Sequence, residues 1–66
     1  MKDIKKALEK AIEDEIAAQQ NYKKLAESTD DPQAQAMFEQ MVKDEANHEK
    51  LLRSRLEAIS KIDESQ

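Results

Sequence analysis

Only one stretch of this chain, Ser28-Thr29-Asp30-Asp31-Pro32, contains residues that stop a helix, and it falls near the middle of a sequence with no glycine and no second proline. Elsewhere Ala, Glu, Lys, Gln and Leu dominate, the residues that lose least on entering a helix. A chain punctuated in this way folds most simply as two long helices and one short connection, an all-α single domain over residues 1–66. Pro32 suits the first turn of a helix, where its missing N–H leaves no bond unmade. Asp31, driven out of helical geometry by the proline that follows, is placed to cap the free amides. These signals set a first helix over about 3–27 with Asp3 as its N-cap, a turn over 28–31, a second helix over about 32–61, and a frayed polar tail over 62–66.

Composition narrows the function classes. With 66 residues and 38% apolar content, against the 45–50% or so of ordinary globular domains, the chain buries little core by itself. It has no cysteine to staple the fold, so association or a bound ligand has to supply the missing stability. Eleven basic and fifteen acidic residues give a net charge of −4 with both signs interspersed; no basic block tracks a phosphate backbone, and nucleic acid is not an expected partner. Apolar runs stop at three residues, too short for a membrane span or a secretory segment, so a soluble cytoplasmic protein is expected.

Ile4, Leu8, Ala11, Glu15, Ala18, Tyr22 and Leu25 recur at alternating gaps of four and three, with Ile12 and Ile16 broadening the stripe. Phe38, Met41, Glu45, His48, Leu52 and Ile59 repeat that spacing on the second helix, widened by Leu51 and Leu56 and interrupted by Arg55. Two such helices fold back as an antiparallel hairpin that leaves part of each stripe in water. A twofold homodimer forming a four-helix bundle completes the core, and a larger even-numbered ring is the alternative assembly.

Three ionisable residues interrupt the apolar stripes: Glu15, Glu45 and His48. Glu15 lies fifteen residues before Asp30 and Glu45 fifteen after it. In a hairpin both therefore stand at one height, roughly 22 Å from the turn at about 1.5 Å per residue. His48, one turn beyond Glu45, converges on the same point. Glu45-x-x-His48 is the i, i+3 pair by which bundle cores take a carboxylate and an imidazole from one helix while a facing helix adds a Glu. A dimer doubles the set to four carboxylates and two imidazoles, which matches two divalent cations. Oxygen-rich ligation with one imidazole per ion suits iron, with manganese as the alternative, better than a closed zinc site. Asp44 is a candidate partner for the second ring nitrogen of His48, although a solvated surface role is simpler for it, as it is for Glu13, Asp14 and Glu49. Met41 and Phe38 are read as core walls.

The pattern Glu15-x-x-Ala18-x-x-x-Tyr22, then Phe38, then Glu45-x-x-His48, resembles the rubrerythrin and ferritin-like di-iron carboxylate proteins over about Ile4 to Leu56. A full ferritin-like domain carries two such helix pairs. This chain carries one, like the half-domains that encapsulated ferritins assemble as dimers. The resemblance implies two Fe ions per dimer held by Glu15, Glu45 and His48, ferroxidase-type oxidation of Fe(II) by O2 or peroxide, and a hydrogen bond or redox role for Tyr22. Any storage role then needs a separate protein compartment around the chain. Two further readings stay open on the sequence: a non-enzymatic dimerisation module whose polar core residues set register, and a minimised or designed bundle that binds metal without turnover.

Overall fold

Where the sequence breaks, the chain turns. The computed structural model describes the backbone of residues 2–65 and the side chains of 3–62. Helix α1 spans Lys2–Ser28 and helix α2 spans Pro32–Ser65, antiparallel and packed along their length. Asp31 caps α2: its Oδ1 accepts from the Gln33 amide at 3.2 Å, and its carbonyl accepts the first helical bond from Gln35 at 2.9 Å. At the other side of the turn, Thr29 closes α1 through a 3.2 Å bond from its amide to the Leu25 carbonyl, and its hydroxyl accepts from the Asp31 amide. These bonds close the turn between the two helices without a glycine.

Helix α2 runs on to Ser65, past the Lys61 at which fraying was expected. Nothing between Lys61 and Ser65 breaks a helix, and buried Ile59 anchors the turn before them. Gln66, the end of the expected tail, lies outside the described residues, as do the side chains of 63–65. A 34-residue helix is about 51 Å long at 1.5 Å per residue, which accounts for the 54 × 14 × 10 Å shape of the molecule.

The packed seam differs from the expected stripes by a small rotation. On α1 it runs through Leu8, Ile12, Glu15, Gln19, Tyr22 and Ala26, with Ile12 and Ala26 buried, whereas Ile4 and Leu25 are exposed. On α2 it runs through Phe38, Val42, Glu45, Glu49, Leu52, Leu56 and Ile59, and His48 stands at its edge. A two-helix seam needs only one line of side chains per helix, so the broader stripes have a surplus that the hairpin alone leaves uncovered.

That surplus lies on one side. Gln19 bonds to Glu49, which fixes the lines through these two residues as one side of the seam, here called the back. The opposite lines, Ile4 to Leu25 on α1 and Met37 to Ile62 on α2, form the front together with His48. All five exposed large apolar side chains among the described residues, Ile4, Leu25, Met37, Leu51 and Ile62, belong to it. The chain exposes 5130 Å², whereas a compact monomer of this mass exposes roughly 4,300 Å². The excess of roughly 800 Å² goes with the elongated two-helix shape.

Candidate metal centre

Glu15 and Glu45 are carried to a common height by the antiparallel pairing, as their equal distances from the turn require, and both are largely covered, with 22% of each side chain exposed. His48 reaches the pair from the front edge. Its side chain is 55% exposed, and its Nδ1 lies 3.6 Å from Glu15 Oε2 and 3.6 Å from Glu45 Oε1. These separations exceed hydrogen-bond length. Glu15 Oε2 is therefore buried with no hydrogen-bond partner, the one such side-chain atom among the described residues. A buried carboxylate oxygen without a hydrogen bond is a costly arrangement.

The electrostatics agree. The Glu15 carboxyl titrates above the ordinary glutamate range, first because the adjacent Glu45 carboxyl favours a proton between them, then because of burial and like charge, with His48 opposing. A divalent cation removes each of these costs at once. The donor set fits one: an atom from each of Glu15, Glu45 and His48 lies within 4.8 Å of the others. Ligand atoms about 2.1 Å from one ion stand about 3.0–3.4 Å apart when adjacent and about 4.2 Å apart when opposite, so side-chain rotations of about an ångström or two bring the three onto one ion. Two carboxylates and one imidazole would leave a metal's shell incomplete, and His48, the exposed member of the set, stands at the front edge.

Tyr22, seven residues nearer the turn than Glu15, stacks on Phe38 with ring centroids 6.3 Å apart and 17° between planes. The pair packs in the seam about 10 Å nearer the turn than Glu15 and Glu45, at about 1.5 Å per residue. Asp44 accepts from Gln40 Nε2 at 2.9 Å and is exposed, so it serves its own helix rather than His48. Asp14 pairs with Lys10 in solvent at 3.2 Å. An open groove on the back, walled by Lys23, Glu27, Glu39 and Lys43, lies nearer the turn and holds none of the three candidate ligands.

Glu49 departs from the expectation of a solvated face. It sits in the seam, accepting from Gln19 Nε2 at 2.8 Å on one oxygen and from Arg53 Nε at 2.7 Å on the other. Gln19 first and Arg53 second hold its carboxyl below the usual glutamate range. The signal for this was present in sequence: Gln19 follows Glu15 by four residues, Glu49 follows Glu45 by four, and Arg53 follows Glu49 by four.

The rubrerythrin family model matches residues 6–65, nearly the whole chain. Comparison with curated proteins and with solved structures returned no match. The chain belongs to the rubrerythrin family.

Proposed function

We propose that this rubrerythrin-family hairpin binds iron at a site completed by a second copy of itself, two ions per homodimer, and oxidises Fe(II) with O2 or peroxide as a ferroxidase. The observation that carries the reading is the convergence of Glu15, Glu45 and His48 with one buried carboxylate oxygen left without a hydrogen bond. Glu15 and Glu45 supply anionic oxygens and His48 an imidazole, a set that serves iron and, as the alternative, manganese. Iron held there supplies one-electron redox chemistry toward oxygen, and the chain's part is to hold, orient and desolvate the ions.

The exposed front supports the dimer. It includes the exposed edge of His48, and it collects the exposed large apolar side chains of the described residues. Pairing two fronts brings four carboxylates and two imidazoles together. Tyr22, behind Phe38 and on the Glu15 line, is assigned a supporting role toward a ligand carboxylate. The chain has no helix among its described residues long and apolar enough to cross a membrane.

Fe(II) oxidation by the Glu45→Ala variant tests the assignment. Wild-type protein consumes O2 when Fe(II) is added anaerobically and then aerated, and Glu45→Ala consumes none above the buffer rate; equal rates overturn the reading. The same front also suits a dimerisation module without turnover, which predicts assembly indifferent to iron and no oxygen uptake by either protein.

A further inference from the structure

Three residues behind the candidate centre have no part in that reading, and their arrangement is specific. Gln19 and Glu49 start about 12 Å apart along the helix axes, counted at 1.5 Å per residue from the two helix ends at the turn. Side chains on a helix lean toward its N-terminus. In an antiparallel pair those leanings oppose, so Gln19 reaches away from the turn, Glu49 reaches toward it, and they meet at 2.8 Å. Arg53 then fixes the second oxygen at 2.7 Å.

The link is offset from the ligands by one turn on both helices, Gln19 from Glu15 and Glu49 from Glu45. It thus ties together the two segments that carry the facing carboxylates. Such a tie opposes the repulsion of Glu15 and Glu45 when both are ionised and no cation lies between them. Of the three buried apolar residues, Ile12, Ala26 and Ile59, only Ile12 stands beside the stretch in which Glu15, Gln19, Glu45 and Glu49 lie along the seam. A slide of one residue, about 1.5 Å, breaks the amide–carboxylate bond and shifts Glu15 against Glu45 by the same amount. The contrast between the two sides is also chemical: both Glu49 oxygens are engaged, whereas Glu15 Oε2 is not.

We propose that Gln19, Glu49 and Arg53 form a positioning clamp that presets the spacing of Glu15 and Glu45 and closes the back of the centre, leaving the front as the route for metal. The proposal rests on the metal reading above. Glu49 acts through the ligands it aligns and does not itself hold the ion.

Titration of the full chain with Co(II), a redox-silent probe whose absorption reports its coordination, tests the clamp. In Gln19→Leu, similar in size and unable to donate, Co(II) affinity falls about tenfold to hundredfold, the usual cost of losing a group that orients a ligand, and the absorption spectrum changes while helicity is kept. The exchanged pair Gln19→Glu with Glu49→Gln restores an amide–carboxylate bond of reversed direction and returns affinity and spectrum toward wild type. If Gln19→Leu loses helicity, the exchanged pair decides alone: wild-type Co(II) binding in it supports the clamp and weak binding overturns it. Wild-type affinity and spectrum in a folded Gln19→Leu make the link structural only and overturn the proposal while the metal reading stands. No Co(II) binding by wild-type protein overturns both.

Discussion

Replacing Leu51 with Ala weakens the proposed homodimer by a predictable amount. Leu51 is the most exposed of the large apolar side chains on the front, at 70%, and it stands one turn beyond His48, so pairing of two fronts covers it. The change removes three carbons, worth about 2.4 kcal/mol for complete transfer at about 0.8 kcal/mol each. Seven-tenths of that side chain is uncovered in the hairpin, so about 1.7 kcal/mol per copy is gained only on association, and twofold symmetry doubles it to about 3.4 kcal/mol. At about 1.4 kcal/mol per power of ten, the dimer dissociation constant rises about 300-fold. Sedimentation equilibrium over a range of concentrations measures both proteins under one set of conditions. The monomeric hairpin changes little, because a mostly exposed side chain contributes little to it. A wild-type chain that stays monomeric at the highest concentrations, or a variant with an unchanged dissociation constant, refutes the assignment of the front as the self-association face.

Other consequences follow from single groups. In chelator-treated protein, Glu45→Ala raises the thermal midpoint, because the carboxylate that Glu15 faces without compensation is gone; a lowered midpoint argues that the pair is stabilising without metal. The metal-free protein is pH-sensitive in two separate windows. The raised value of Glu15 gives a stabilising contribution that is full below the ordinary glutamate value of about 4.3 and is lost as pH climbs through the folded-state value. The lowered value of Glu49 gives one that is present above that range and is lost as pH falls through its own folded-state value. Thermal midpoints with chelator therefore decline on the alkaline side of about pH 4.3 in wild type and not in Glu15→Gln, and identical profiles for the two proteins contradict this. Asp31→Ala removes the α2 cap and costs about 1 kcal/mol, read by urea unfolding at fixed protein concentration, where an unchanged midpoint counts against the capping role.

The hairpin was legible because its determinants are local. One break with Asp31 and Pro32 at its end fixes where α1 stops and α2 starts, and equal spacing from the turn places Glu15 opposite Glu45. The finer rotation of each helix was not legible, since Ala11 and Ile12, or Leu25 and Ala26, satisfy the heptad spacing equally well. Which neighbour enters the seam depends on packing between helices, and burial chose Ile12 and Ala26. His48 shows the same limit: spacing put it on the ligand height, and only the fold put it at the front edge with its Nδ1 toward both carboxylates. Glu49 was misjudged as solvated because a charged residue beside a ligand has an easier home in water. Its place in the seam needs Gln19 from the other helix and the opposed leaning of side chains in an antiparallel pair, which no single-helix pattern reveals.

The central claim is a metal centre shared between two copies of this chain, and native mass spectrometry of protein loaded anaerobically with Fe(II), beside the same protein treated with chelator, tests it most directly. One spectrum counts subunits and ions together. The account predicts two iron ions per dimer, retained in even-numbered assemblies and lost with the chelator. A metal-free monomer, or a dimer whose mass ignores iron, contradicts it and leaves Glu15, Glu45 and His48 as polar residues that only set the register of the helices.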